Sequence, residues 1–166
     1  MNIIVSGLPG SGKSFFAERL AEKIDADYVN SDRLRKELFP NRTYSDHEKG
    51  TVYDVMLERM EEAIEQKRNL VLDATFHKKA ARKLFTKNGK EDVPFIEVWA
   101  EEPIIKDRLK KSRPYSEADY QVYQLIRQEW EPIDEPHLRL RSTNGNIHDM
   151  LQKAENYLKN DRRENR

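Results

Sequence analysis

The chain has 166 residues, enough for one domain that buries roughly two thirds of its unfolded surface. Its 30 basic and 30 acidic residues cancel, so no net basic field exists and any polynucleotide partner would need a local patch. The absence of cysteine excludes a disulfide framework or thiolate metal site. No apolar run approaches the roughly 20 residues of a membrane helix and no signal-peptide pattern is present, so a cytoplasmic protein without membrane contact is expected.

The first apolar run, Asn2 to Ser6, reads as a strand and empties into Gly7-Leu8-Pro9-Gly10-Ser11-Gly12-Lys13-Ser14. This is the G-x-x-x-x-G-K-[ST] pattern of a P-loop. Its glycines let successive N–H groups face one polyphosphate, and the helix that follows adds its positive end. Gly7, Pro9, Gly10, Ser11, Gly12, Lys13, Ser14 and Phe15 are therefore expected to hold a nucleotide. Lys13 would reach its β and γ phosphates, and Ser14 would ligate Mg²⁺.

Helical spacing of Phe16, Leu20, Ala21 and Ile24 predicts a helix over about 13–23. Tyr28 to Ser31 reads as a second strand ending in Asp32, with a helix over about 33–39 closed by Pro40. Ser45-Asp46-His47-Glu48 reads as a capping box opening a helix to about Lys67, with Val52, Val55, Met56, Met60, Ala63 and Ile64 as its buried side. Asn69 to Asp73 is a third strand, and its near-continuous apolar run suits a parallel sheet covered on both faces. A helix over about 77–87 stops near Asn88-Gly89. Phe95 to Ala100 is a fourth strand, followed by a helix through Ile104, Ile105 and Leu109. Ser116 to Asp119 is expected to cap a helix reaching Trp130, His137 to Arg141 is a fifth strand, and Ile147 to Leu158 the last helix.

Five strands alternating with helices predict an α/β domain, a five-stranded parallel sheet with helices on both faces. Ligands of such sheets bind beyond the carboxyl ends of the strands. That edge collects the P-loop, Asp32, Asp73 and the residues after Ala100 and Arg141.

Asp73 closes an apolar strand as a Walker B acid does, which would let it hold Mg²⁺ opposite Ser14; capping by Asp73 with Thr75 is the alternative. Asp32 stands where a phosphate acceptor would meet the γ-phosphate, and its carboxylate could take the acceptor's hydroxyl proton. Three residues on, Arg35 is placed to contact the acceptor. Simple N-capping by Ser31 or Asp32 is the competing reading. In the basic stretch before Pro114, Arg108 and Arg113 are candidates for a mobile lid, about 106–120, that brings guanidinium groups onto the transferring phosphate and excludes water. The histidines share no ligand spacing, and Tyr115, Tyr120 and Tyr123 fit packing better than base stacking.

Taken together, Gly7 to Ser14, Ser31 to Phe39, Leu70 to Phe76, and the run from Glu129 through Glu135-Pro136-His137 to Ser142-Thr143 resemble the small P-loop kinases of the AAA-domain predicted-kinase family. These are similar to the kinase domain of polynucleotide 5′-hydroxyl kinases and, more distantly, to zeta-toxin and chloramphenicol phosphotransferases. The resemblance implies a P-loop kinase fold over residues 1–160 with a helical lid, and the charged residues 161–166 read as a tail. It implies Asp32 as general base, Arg35 on the acceptor, lid arginines on the phosphates, and an adenine pocket near Arg108 and Thr143. Ala74-Thr75-Phe76 departs from the Thr-Asn that polynucleotide kinases carry after this aspartate. The expected activity is ATP- and Mg²⁺-dependent transfer to an alcohol, an RNA or DNA 5′-hydroxyl or nucleotide first and a small-molecule alcohol second. An NTP-hydrolysing switch is the third reading, and the chain has no N-K-x-D-like motif for it.

Overall fold

The computed structural model describes residues 1–86, 93–112 and 116–164, the side chains of 161–164 excepted. The expected Asn88-Gly89 helix stop, Arg113, Pro114 and Tyr115 lie outside the described residues.

The elements follow in the order β1 (Asn2–Ser6), α1 (Lys13–Lys23), β2 (Asp27–Asn30), α2 (Ser31–Leu38), α3 (Asp46–Glu65), β3 (Leu70–Asp73), α4 (Lys79–Thr86), β4 (Phe95–Trp99), α5 (Glu102–Leu109), α6 (Tyr120–Glu129), β5 (Leu138–Arg141) and α7 (Ile147–Glu164). The strands form one parallel sheet in the order β2-β3-β1-β4-β5. Among the described residues no helix is long and apolar enough to cross a membrane.

Side-chain alternation along each strand feeds two separate cores. Ile3, Val5, Val71, Ile96 and Val98 join Phe16, Leu20 and the α7 residues Met150, Leu151 and Ala154 on one face. Ile4, Leu70, Leu72 and Phe95 join Val52, Met56, Met60, Phe76 and Phe85 on the other. This parity also orients the polar ends of the strands. Tyr28 packs against the first core and Val29 against the second, so Asn30 and Asp73 fall on the same side as Tyr28 and Val71, facing α1. The register makes Asn30 and Asp73 direct neighbours. A third, smaller cluster of Ala100, Ile105, Leu109 and Tyr123 packs α5 and α6 around Leu8 of the P-loop.

Several local expectations change. Helix α2 begins at Ser31 and is capped by Asn30, whose side chain accepts from the Arg33 N–H, so neither Ser31 nor Asp32 caps it. Helix α6 begins only at Tyr120, capped by Asp119 rather than by Ser116. Of the expected lid, α5 supplies 106–109, and residues 116–119 are irregular. Ile64 is exposed, not buried. The last helix runs through Leu158 into the expected charged tail as far as Glu164. Half of the capping box at Ser45 forms: Ser45 accepts from the Glu48 N–H. The buried Glu48 side chain turns instead to the N–H groups of Thr43 and Tyr44.

Candidate active site

The P-loop owes its shape to two left-handed glycines, Gly10 at φ 78° and Gly12 at φ 90°. A Cβ on Gly12 would also come within 2.6 Å of the Ser142 hydroxyl, so both backbone and space require glycine there. Gly12 is the N-cap of α1 and no side chain caps that end. The first-turn N–H groups and the positive helix end are thus left for an anion. Lys13 and Ser11 are buried in the loop, whereas the Phe15 ring is exposed beneath the Arg19 guanidinium, 3.4 Å from its centroid.

Ser14, Asn30, Tyr28 and Asp73 meet where α1 faces the sheet edge. The Asn30 amide donates to Asp73 Oδ2 at 2.6 Å and to the Ser14 hydroxyl at 3.3 Å. The Tyr28 hydroxyl donates to the same Asp73 oxygen at 2.6 Å. Burial, followed by the Asp73 charge, pushes the Tyr28 phenol far up, so it stays a donor. Asp73 is fully buried, yet its Oδ1 has no hydrogen-bond partner. A buried carboxylate oxygen left open next to a P-loop hydroxyl suits a hard cation. No cluster of three or more His, Cys, Asp or Glu residues suited to a metal occurs among the described residues.

Asp32 lies in the first turn of α2, freed from capping by Asn30. Its Oδ1 is 3.3 Å from Arg35 Nη1. Arg35 Nε is 3.6 Å from the buried Glu48 carboxylate, and its guanidinium lies 5.2 Å from the Tyr44 ring centroid. Arg35 thus forms ion pairs with two carboxylates, one of them that of Asp32. Tyr53 lies in the same region: burial pushes its phenol up, with the nearby Arg35 charge opposing and the Asp32 charge adding to that shift.

The Asp73-Ala74-Thr75-Phe76 turn is held from behind. Phe76 is left-handed at φ 48° and fully buried, a conformation that costs an aromatic residue strain. Arg82, itself buried, donates to the carbonyls of Phe76, Glu131 and Pro132 at 2.8 to 3.0 Å. Ser6 donates to the Thr75 carbonyl at 2.7 Å.

Arg108 sits at the other end of the P-loop. It donates to the Gly10 carbonyl at 3.1 Å, the Ser142 hydroxyl at 3.1 Å and Asn144 Oδ1 at 3.3 Å. It thus clasps the loop after β5 that contains Thr143, whose N–H is held by Asn146. None of these contacts reaches Asp32 or Asp73. Lys106 lies against the Tyr120 ring, and the buried Tyr123 is a core residue.

Sequence reasoning missed Asn30, Tyr28, Glu48, Tyr53 and Ser142. Asn30 carried a local signal, a polar side chain closing a strand just before a helix start, and Glu48 was read only as part of the Ser45 capping box.

A P-loop after β1, acids after β2 and β3, and the 2-3-1-4-5 parallel order define a P-loop kinase fold. The chain belongs to the family described as "AAA domain", whose model matches residues 3–133. A cytidylate kinase of Methanosarcina mazei is 30% identical over 118 residues, which span 67% of this chain and 61% of that protein's length. An unliganded sugar kinase from Janibacter sp. HTCC2649 superposes with a TM-score of 0.75 at 15% identity, covering 95% of this chain and 94% of that one. The Mycobacterium tuberculosis APS kinase in complex with AMPPNP and APS superposes with a TM-score of 0.70 at 19% identity, covering 95% and 96%.

Proposed function

We propose that this protein is an ATP- and Mg²⁺-dependent kinase that transfers the γ-phosphate to a hydroxyl group of a small acceptor. The observation that carries this reading is the unpartnered, buried Oδ1 of Asp73, whose other oxygen is linked through the Asn30 amide to Ser14 at the uncapped N-terminus of the P-loop helix. Bound Mg²⁺ would neutralise charge on the β and γ phosphates, with Ser14 and Asp73 as its protein ligands. The α1 N–H groups and Lys13 would hold the phosphates, and Arg108 with Thr143 would flank the base. Asp32, oriented by Arg35, would accept the proton of the attacking hydroxyl. Little covalent chemistry is asked of the protein in such a transfer; positioning and fixed charge supply the rate. Arg113 would serve as a lid arginine over the phosphates.

The likeness to kinases of small molecules supports a small acceptor, and so does Arg35, whose charge is already met by Asp32 and Glu48 instead of standing free for a nucleic-acid backbone. The test is transfer of labelled γ-phosphate to panels of sugars, nucleosides, nucleotides and 5′-hydroxyl oligonucleotides, with Lys13→Ala as control. Label on a small alcohol, lost in the control, is expected. Label on oligonucleotides alone would instead establish a polynucleotide acceptor, and phosphate released to water without any acceptor would point to an NTP-hydrolysing switch.

A further inference from the structure

The loop between α2 and α3 carries a cationic fork that the proposed transfer does not use. Arg42 grips the Glu117 carboxylate along one edge, Nη2 to Oε1 at 2.6 Å and Nε to Oε2 at 3.3 Å. The Tyr44 hydroxyl donates to the same carboxylate, and Lys36 Nζ lies 4.0 Å from Oε1. Glu117 comes from the irregular residues before α6. Its hydrogen bonds from Arg42 and then Tyr44 hold the carboxyl down to about 2.

Contacts within the loop and to Glu48 also hold the fork. Glu48, buried underneath, accepts the N–H groups of Thr43 and Tyr44 and the Thr43 hydroxyl. Arg42 Nη1 donates to the carbonyls of Phe39 and Pro40, fixing the guanidinium plane from within its own loop. Tyr44 is held left-handed at φ 56°, a costly conformation for an aromatic residue that recurs at ligand clamps. The Tyr44 ring packs against Arg35, which pairs with Asp32. A line of contacts therefore runs from the candidate base through Arg35 to Tyr44, which meets Arg42 on the Glu117 carboxylate.

A bidentate guanidinium, a phenol and an ammonium on one side match an oxyanion. The Glu117 side chain is 42% exposed, so water and a ligand can reach this carboxylate and compete for its partners.

We propose that Arg42, Tyr44 and Lys36 bind a phosphate or carboxylate group carried by the acceptor, and that Glu117 is an internal occupant displaced when the acceptor arrives. The acceptor's part in this rests on the hydroxyl-kinase reading above; the anion site does not. A tethered carboxylate competes at an effective concentration on the order of millimolar, so removing its charge should expose the site.

The experiment is calorimetric titration of the full chain, saturated with Mg²⁺ and AMPPNP to fill the P-loop, with inorganic phosphate and separately with succinate. Glu117→Gln should bind at least one of these anions roughly tenfold more tightly than the unaltered protein. The gain should vanish in the Glu117→Gln, Arg42→Ala double variant. Preference for phosphate would assign a phosphorylated acceptor, and preference for succinate a carboxylate. Equal affinity with and without Glu117, or a gain that survives loss of Arg42, overturns the proposal. Failure of AMPPNP to bind would sink the kinase reading instead, while the comparison of variants would still report on the fork.

Discussion

Asn30 and Asp73 are side-by-side partners in the register of β2 and β3, and the Asn30 amide spans from Asp73 Oδ2 to the Ser14 hydroxyl. One side chain thereby caps α2, aims the candidate metal acid and positions the P-loop serine. Asn30→Ala removes the cap, costing roughly 0.5–2 kcal/mol. It also takes one of the two donors from a fully buried carboxylate, a further loss of about 1–3 kcal/mol. A fall in the urea midpoint is expected, with a raised Mg²⁺ requirement for nucleotide binding. Unchanged Mg²⁺ dependence would mean that Asp73 does not serve the metal.

Asp32 is nearly isosteric with asparagine and does not cap α2. Asp32→Asn should leave AMPPNP affinity near normal and lower kcat at least about a hundredfold, the scale of lost general-base help. Steady-state kinetics together with nucleotide titration separate the two effects. Collapse of nucleotide binding would assign Asp32 to the nucleotide or the metal.

Arg82 is the most voluminous of the fully buried side chains and donates to three backbone carbonyls. Arg82→Met fills much of the space but strands the buried Phe76 carbonyl. At about 1–3 kcal/mol for a buried unsatisfied group a loss of about that size is expected, since the part-buried Glu131 and Pro132 carbonyls can turn to water. Denaturant unfolding measures it. A loss below about 1 kcal/mol would mean water replaces the guanidinium.

His77 gives the protein an acid-sensitive point. Burial pushes its imidazole below the usual value of 6.5, outweighing Glu129, 3.4 Å away, with Lys78 and Lys49 adding to the downward shift. The unfolded chain therefore takes up a proton near 6.5 that the folded one resists, so stability present above that pH is lost as pH falls through it. Tm should drop between about pH 7.5 and 5.5, and His77→Gln should flatten that slope. A slope unchanged in the variant would assign the effect to other groups.

The glycine spacing, the apolar strand runs and the acids that end two of them were open to reading because each is a local pattern. A P-loop is contiguous, a strand buried on both faces is a continuous apolar run, and α1 shows its 3.6-residue period directly. The meeting of Asn30, Tyr28 and Asp73 had no such pattern. These residues converge on Ser14 because side-chain alternation and the β2-β3 register put all of them on the α1 face, a relation between residues more than forty positions apart. The same holds for Arg35, legible as a free cation three residues from Asp32 until α3 brought Glu48 against it. Sequence alone therefore determined which groups could bind phosphate, metal and proton; packing of the sheet and of the α2–α3 loop decided which charges remain open to a ligand, because a charge is cancelled only by what folding carries to within a few ångströms of it.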